Sequence, residues 1–285
     1  MNKNILLERK KENKKYQQTA LLSIKYFNEL QRFSFPAKLI IFSISFLNMF
    51  FIIIVLLSLF LESSAVDIIS VFKSINILSA FKVTISSLGI SALITVFLGV
   101  PFSYFISRQD RYINKILNII ISLPLLMPPS VTGLALLLTF GNRGILSNLS
   151  SNVAFTFSAL IIVQIFVMLP LFIHILKSSF ASIDEKIIEA ALVEGAAEND
   201  LLFKVYLPLS LKAFITALVI SILRAAGEFG ATIIFAGNLS GKTQTITTAI
   251  YSLTQSNLSQ AIALAVIMLS FFLIPLFLVE FKVKN

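Results

Sequence analysis

The sequence predicts an all-α membrane protein that crosses the bilayer several times. Of its 285 residues, 57% are hydrophobic and only 13% are charged, which is more apolar than a soluble domain. The apolar residues gather in six long runs, and a spanning helix needs about 20 mostly apolar residues. The basic residues lie mostly outside these runs. These three observations predict a polytopic fold with six transmembrane helices.

The six predicted spans share a length that excludes β-barrel strands, which have about 10 residues and alternate in polarity. They cover residues 39–61, 81–106, 116–140, 155–176, 213–236 and 261–281. We therefore divide the chain into a basic N-terminal tail, residues 1–38, and a membrane domain, residues 39–285. This division leaves no room for a second, soluble domain. Such a chain is expected to be embedded in a lipid bilayer.

The basic residues predict the orientation of the chain. The net charge is +9, and the tail alone carries nine of the 23 Lys and Arg residues. Cytoplasmic segments are enriched in Lys and Arg, so both termini are expected in the cytoplasm, which an even number of spans allows. A charge distributed in this way reports topology and argues against nucleic acid as a partner. With no Cys, the chain has no disulfide framework.

The tail has its own apolar pattern. Leu21, Ile24, Phe27 and Leu30 recur every three residues, which favours a helix lying on the membrane surface. A partly disordered basic tail explains the same composition. No small-residue cleavage pattern follows the first apolar run, so a cleaved signal peptide is not expected.

The third span contains a cluster of prolines. Pro124 is followed by Pro128 and Pro129, and each proline removes a backbone donor and disfavours a straight helix. Broken backbone at membrane depth is tolerated where protein or water covers it. We therefore expect this segment to face the interior or a transport pathway; the alternative is a span boundary that places the prolines at the interface. The candidate pathway residues here are Pro128, Pro129, Ser130, Thr132 and Gly133.

The loop between the fourth and fifth spans, residues 181–210, is the most polar part of the membrane domain. It holds six of the 14 acidic residues and is cytoplasmic in the predicted topology. Small alanines followed by Gly195 and then by Pro208 predict two short helices joined by a turn. An ordinary amphipathic connecting loop is the simpler alternative. The residues that carry the pattern are Glu189, Ala190, Ala191, Gly195, Leu207 and Pro208.

That pattern resembles the docking loop of the permeases of ABC-type importers. The one mild departure is Val205, where the family often has Ile. The resemblance implies a type I importer permease (MetI-like) fold, two permease copies that pair, most simply as a homodimer, and a cytoplasmic ATPase subunit docked on each loop. The sequence contains no nucleotide-binding motif, so the energy has to come from that separate ATPase. The chain is then a transport subunit and not an enzyme.

The fifth span carries charged residues and glycines. Arg224 and Glu228 lie four residues apart, on one face of a helix, and are expected to pair. Ionisable residues within a span usually face an interior or a cavity. A bridge that only holds helices together is the alternative, and the two interpretations are compatible. Gly227 and Gly230 are expected to allow close packing or a flexible gate. The candidate pathway residues here are Arg224, Gly227, Glu228, Gly230 and Thr232.

Several segments together resemble the molybdate-transport permeases. They are GEFGAT at 227–232, FAGN at 235–238, GKTQT at 241–245, PPSVTG at 128–133 and SQAIAL at 259–264. The resemblance covers roughly residues 84–281. It implies import of molybdate or tungstate that an extracytoplasmic oxyanion-binding protein delivers, with sulfate or thiosulfate as the alternative cargo. It also implies a multi-pass protein of the cell membrane, or of a plastid membrane if an organelle encodes it.

Four other interpretations are weaker. Gly241, Lys242 and Thr243 resemble the end of a phosphate-binding loop, but Ala236 stands where that motif needs Gly. His174 is the only histidine and is expected at the cytoplasmic edge of the fourth span, so no metal or other cofactor is predicted. A membrane-embedded enzyme would need clustered reactive groups at one depth, and a non-transporting scaffold would not need the polar loop.

The segment 237–257 is expected to be a polar outer loop.

Overall fold

The computed structural model describes residues 35–109, 111–147 and 153–283, and within them it is helical and has no strands. The predicted tail lies almost entirely outside the described residues. We number the helices α1 Phe35–Glu62, α2 Ala65–Lys73, α3 Ile75–Ser107, α4 Arg111–Leu126, α5 Pro129–Phe140, α6 Phe157–Phe180, α7 Glu185–Val193, α8 Glu198–Leu209, α9 Leu211–Ala226, α10 Ile246–Ser256 and α11 Leu258–Leu278. π-Helical turns lie at Leu201–Tyr206 within α8, at Thr232–Ala236 after α9, and at Val279–Val283 after α11.

Helices α1, α3, α6 and α11 are each long and apolar enough to cross a membrane. Two further pairs pass the same test only together: α4 with α5, bent by 108°, and α8 with α9, bent by 78°. Among the described residues the count is therefore four spans, or up to six if each bent pair is one span. The six predicted spans agree with the upper end of this range, and the chain is a multi-pass membrane protein.

The described chain forms two compact units. Residues up to Ser58 belong to the first, whose described part is most of α1, and residues from Leu59 onward form the second. Within α1 the polar side-chain contacts are local: the Asn48 amide donates to the carbonyl of Ile44 at 2.9 Å and the Ser58 hydroxyl donates to that of Val55 at 2.8 Å. Because these bonds stay within their own helix, α1 presents an almost wholly apolar surface.

Helix α6 is the centre of the second unit, with α3 and α9 packed along it. Gln164 of α6 donates to the hydroxyl of Ser87 and accepts from that of Ser91, both at 2.9 Å and both fully buried. At Gly99 of α3, an added Cβ would lie 2.6 Å from the Phe172 ring. Small residues and interhelical hydrogen bonds are what holds helices together in lipid, where apolar burial contributes little.

The proline cluster breaks the third span, as predicted. Helix α4 ends at Leu126 and α5 begins at Pro129, the first helical position, where a missing N–H costs least. Pro128 is extended, with φ −56° and ψ 139°. Pro124, by contrast, remains inside α4. The break therefore comes from the second and third prolines.

The predicted fifth span is wrong beyond residue 226. Helix α9 ends at Ala226, and the N–H of Gly227 turns back to the carbonyl of Leu223 at 3.2 Å. The carboxylate of Glu228 then accepts from the N–H of Ala231 at 3.1 Å. That bond satisfies the backbone at the break, so the helix is interrupted at residues 227–229 and helical structure resumes only from residue 230 to residue 236.

The predicted outer loop 237–257 contains a helix, α10. Thr245 caps it by accepting from the Thr248 N–H, while the Thr248 hydroxyl accepts from the N–H of Thr245 at 2.9 Å. Thr84 of α3 accepts from the N–H of Ile246 at 3.0 Å, and Thr247 donates to the carbonyl of Ala226 at 2.7 Å. These hydroxyls fix α10 against α3 and the end of α9, so a segment rich in Thr is ordered.

Candidate functional site

The two breaks in the spans pack directly against each other. A Cβ added at Gly230 would lie 2.7 Å from the Cβ of Pro129, and one added at Gly133 would lie 2.9 Å from the Cα of Ala231. Real Cβ atoms do not approach other atoms this closely, so both positions need glycine. The segment after α9 thus contacts the start of α5, and two separately predicted pathway segments meet.

Arg224 and Glu228 form the predicted pair beside this contact. The guanidinium Nη1 lies 2.8 Å from Oε2 of the carboxylate, whose side chain is 2% exposed, whereas that of Arg224 is 46% exposed. The other carboxylate oxygen accepts from the Ala231 N–H. The hydroxyl of Thr232 lies 3.4 Å from the Glu228 carbonyl. Glu228 is therefore buried with both carboxylate oxygens hydrogen-bonded.

A small cavity of about 30 Å³ lies between the breaks, with room for about one water. Five predicted or neighbouring residues of the two segments line it: Pro124, Pro129, Thr132, Arg224 and Glu228. Pro128, Ser130 and Gly227 are exposed and do not line it. The atom nearest to a Cβ added at Gly227 is the Leu223 carbonyl oxygen at 3.7 Å, so no other element packs closely on this glycine among the described residues; it follows the last residue of α9.

The predicted polar loop contains two short helices joined by a turn, and we call residues 185–209 the knob. Helix α7 begins after Asp184, whose side chain accepts from the Lys186 N–H at 3.0 Å. The turn passes through Gly195 at φ +85°, a conformation that other residues adopt only with strain. Helix α8 follows and leads through a 78° bend into α9.

The six pattern residues of the knob differ in exposure. Glu189, Ala190, Gly195 and Pro208 are exposed, while Ala191 and Leu207 pack against the buried cluster at the end of α6. Val193, at the tip, is 88% exposed. The knob thus presents small, apolar and acidic side chains outward.

An aromatic cluster anchors the base of the knob. Tyr206 of α8 is 3% exposed, and its ring meets Phe180 of α6 edge-on at 5.4 Å and Tyr104 of α3 at 4.9 Å. Leu201 and Leu202 are buried beside it. Aromatic pairs of this geometry add to the apolar burial. The knob is therefore fixed to the ends of two membrane helices.

A polar contact that no sequence pattern predicts joins the knob to α3. Arg108 Nη1 lies 2.8 and 2.6 Å from the two carboxylate oxygens of Glu198, and the Tyr104 hydroxyl donates to the same carboxylate at 2.6 Å. The hydrogen bonds from Tyr104 and from Arg108 lower the pKa of Glu198 below its usual value. Arg108 is one of the basic residues that lie outside the apolar runs. Its partner lies 90 residues away, so no local pattern indicated the contact.

The knob also borders a polar cleft of about 410 Å³. Arg108, Glu185, Glu189 and Tyr206 are among the residues that line it. Glu189, one of the six residues of the docking-loop pattern, thus lines the same cleft as Arg108, which binds Glu198 of α8. The knob is attached to α3 by the Arg108–Glu198 ion pair and by the contact of Tyr206 with Tyr104, and to α6 by the contact of Tyr206 with Phe180.

Most of the described membrane domain belongs to a known protein family. Residues 99–282, which include the broken third span, the knob and the charged turn after α9, match the model of the "binding-protein-dependent transport system inner membrane component" family. The chain belongs to this family. It is a transport permease.

The permease is similar to one relative over nearly its whole length, and to two others over about two thirds to three quarters of it. It is 32% identical over 282 residues to the probable transport system permease protein NifC of Clostridium pasteurianum, covering 96% of this chain and 98% of that one. It is 32% identical to the putative molybdenum transport system permease protein YvgM of Bacillus subtilis, covering 65% and 86%. It is 30% identical to the molybdenum transport system permease protein ModB of Escherichia coli K12, covering 72% and 93%.

Two solved structures share the fold of the permease. A bacterial alginate ABC transporter in complex with an alginate-bound periplasmic protein has a TM-score of 0.66 at 17% identity, covering 85% of this chain and 92% of that one. A second structure, of a bacterial ABC transporter for alginate import, has a TM-score of 0.63 at 19% identity, covering 92% and 98%. At these identities the likeness concerns the fold alone.

His174 of the permease has a structural partner. It lies in α6, where its Nε2 is 2.9 Å from the hydroxyl of Ser122 in α4. No group of three or more His, Cys, Asp or Glu side chains that could hold a metal gathers among the described residues. The histidine joins two helices here.

Proposed function

We propose that this permease is the membrane subunit of an ATP-driven importer of molybdate or tungstate. The proposed cargo rests on one observation: relatives named as molybdenum transport permeases are 29–32% identical to the chain. The segments that resemble molybdate permeases, at 128–133 and 227–232, are those that pack together in the structure. Sequence likeness in the residues around the breaks supports a shared cargo.

The knob is the proposed contact with a separate ATPase subunit. Its exposed face combines the Glu189 carboxylate with small and apolar residues, which suits a partner surface that is basic and closely fitting. Glu189, Ala190, Ala191, Gly195, Leu207 and Pro208 are the proposed docking residues. The anchoring of α8 to α3 and α6 supports this role, since a push on the knob would reach two membrane helices.

The knob also sets the proposed orientation. A cytoplasmic ATPase requires the knob and both termini in the cytoplasm, which agrees with the concentration of basic residues in the tail. Two copies of the permease would pair across the pathway, in the simplest case as a homodimer, each with its own ATPase. A binding protein on the outer face would deliver the oxyanion.

The paired breaks are the proposed gate. Four of the proposed gate residues line the small cavity: Pro129, Thr132, Arg224 and Glu228. Gly133 and Gly230 form the close contacts between the two segments beside it. Opening the pathway would separate the Gly230–Pro129 contact. Pro128, Ser130, Gly227 and Thr232 flank these positions and complete the proposed gate segment. Discontinuous helices at membrane depth are a recurring way to build substrate sites in transporters.

Uptake in a strain that lacks its own molybdate importer tests the proposal. Cells receive this chain with its partner subunits and radiolabelled molybdate, and unlabelled molybdate, tungstate, sulfate or thiosulfate is added as competitor. We expect molybdate and tungstate to compete and the sulfur oxyanions to compete weakly. Uptake that sulfate or thiosulfate blocks more effectively than molybdate would assign the chain to sulfur transport. Accumulation without any dependence on the ATPase subunit would overturn the ATP-driven mechanism.

A further inference from the structure

An open cleft of about 680 Å³ lies at the end of α6 opposite the knob. One wall comes from the first turns of α3, with Lys82 and Ser86. A second comes from the start of α6, with Phe155 and Phe157. The third is the loop before α10, with Leu239 and Lys242. The proposed docking and gate residues play no part in this cleft.

The lengths of α3 and α6 place the cleft and the knob on opposite sides of the membrane. Helix α6 has 24 residues and at 1.5 Å per residue is about 36 Å long, enough to cross the hydrocarbon core. The cleft lies at its first residue, and the knob follows its last. Likewise, Lys82 is near the start of α3, and Arg108 is one residue past its end. With the knob in the cytoplasm, the cleft faces outward.

The cleft carries positive charge without compensation. Lys82 and Lys242 both line it and are exposed, and neither forms an ion pair among the described residues. None of the lining residues is acidic. A cleft lined by one sign of charge attracts ligands of the opposite sign. A partner that binds here therefore presents anionic groups.

The remaining lining favours a protein over a free anion. Phe155 and Leu239 are 51% and 49% exposed, and a small oxyanion gains nothing from an aromatic ring or a leucine. Phe155 is also at φ +62°, a strained conformation for a bulky residue, and strain of this kind gathers at functional positions. Exposed aromatic and aliphatic side chains beside basic groups are typical of a protein interface.

The loop that carries Lys242 is held firmly. The N–H groups of Lys242, Thr243 and Gln244 all donate to the carbonyl of Leu239, at 3.0, 2.9 and 3.0 Å. The Thr243 hydroxyl accepts from the Leu239 N–H at 3.1 Å, and Ser240 donates to the side chain of Asn76 at 3.2 Å. A surface whose backbone is fixed before binding loses less entropy on association.

We infer that this cleft receives a protein on the outer face that presents carboxylate side chains beside an apolar one. The inference rests on the proposed function, in which that partner is the oxyanion-loaded binding protein. It assigns a role to the GKTQT segment: Thr243 and Thr245 hold the loop and the helix after it, while Lys242 contacts the partner. The basic cleft then binds the protein that delivers the cargo, and the gate controls the passage of the cargo through the membrane.

Charge reversal in the complete transporter tests the inference. The permease, its ATPase and its fluorescently labelled binding protein are reconstituted in vesicles, and Lys82→Glu with Lys242→Glu is compared with the unmodified chain. We expect the dissociation constant of the molybdate-loaded binding protein to rise by about tenfold, with uptake restored at saturating binding protein. Added salt should weaken binding by the unmodified chain more than by the double variant. Arg143→Glu is the control, since this exposed basic residue does not line the cleft.

Each outcome separates the cleft from the proposed function. If the double variant binds the binding protein with unchanged affinity while the unmodified chain shows normal uptake, the proposed binding site at the cleft is wrong and the proposed importer function is unaffected. Unchanged affinity with a higher half-saturating molybdate concentration also overturns the proposed binding site and indicates a site for the free anion. If the unmodified chain transports another oxyanion but the double variant still loses affinity for the binding protein, the proposed binding site at the cleft is supported and the proposed cargo is wrong. If the unmodified chain neither binds nor transports, both are overturned.

Discussion

Arg108, one residue past the end of α3, places one guanidinium nitrogen 2.6 and 2.8 Å from the two carboxylate oxygens of Glu198, the first residue of α8. The bond joins a membrane helix to the knob across 90 residues of sequence. The side chains are 34% and 69% exposed, and exposed ion pairs contribute little to stability. Its value therefore lies in the connection between the two elements and not in the free energy of folding.

Breaking this bond should uncouple the proposed ATPase from uptake. In Arg108→Gln and Glu198→Gln, the knob would lose its ion pair with α3 and keep its aromatic contact with Tyr104, so we expect ATP hydrolysis to continue while the molybdate imported per ATP falls severalfold. The amount of permease in the membrane should stay the same. The measurement is uptake and hydrolysis in the same vesicles. Because the pKa of Glu198 is lowered, the bond is fully present above the ordinary pKa of glutamate and is lost only as the pH falls through its lowered value.

The Lys204–Asp200 pair supplies a matched control. It joins two residues of α8 at 2.7 Å and does not reach α3. Lys204→Gln should therefore leave the import per ATP unchanged. The exchanged pair Arg108→Glu with Glu198→Arg should recover part of the loss. If Lys204→Gln reduces coupling as much as Arg108→Gln does, the effect comes from the charge of the knob in general.

Alanine at the two close-packed glycines should separate the breaks. Gly230→Ala places a methyl group against Pro129, and Gly133→Ala places one against Ala231. Overpacking of this kind costs about 1–3 kcal/mol, so we expect a lower melting temperature and either a leaking or a blocked pathway. Thermal unfolding in detergent and uptake in vesicles measure the two effects. Gly89→Ala in α3 is the control, since no atom lies within 4 Å of its added Cβ, and it should be neutral or slightly stabilising.

The sequence predicts the parts of this protein that depend on local pattern. Long apolar runs identify the spans, the prolines identify the break before α5, and the spacing of Arg224 and Glu228 identifies their pair. The sequence does not reveal where α9 ends, because the apolar run continues past Ala226 while a side-chain bond from Glu228 diverts the backbone. It also misses contacts such as Arg108 with Glu198, since residues distant in sequence leave no periodic signal.

The turn of the knob gives a prediction based on backbone conformation. Gly195 has φ +85° and no atom within 4 Å of an added Cβ, so any substitution acts through strain and not through collision. A left-handed conformation costs a residue with a Cβ about 1–2 kcal/mol, and Asn tolerates it better than Val. We expect Gly195→Val to reduce binding of the ATPase subunit and Gly195→Asn to reduce it much less. Co-purification of the ATPase with tagged permease checks this, and equal losses in the two variants would contradict it.

The Arg224–Glu228 pair should respond differently to removal of each partner. Arg224→Ala leaves the buried Glu228 carboxylate with only the Ala231 N–H, and a buried charge that has lost its partner is destabilising by about 3–5 kcal/mol. Glu228→Gln removes the buried charge, keeps an oxygen for the Ala231 N–H, and leaves an arginine that is half exposed and can reach water. We therefore expect Arg224→Ala to lower the melting temperature and the uptake rate more than Glu228→Gln does, and the double variant to be no worse than Arg224→Ala alone. Larger damage from Glu228→Gln, with a normal melting temperature, would instead show that the charge of Glu228 takes part in the passage of the anion.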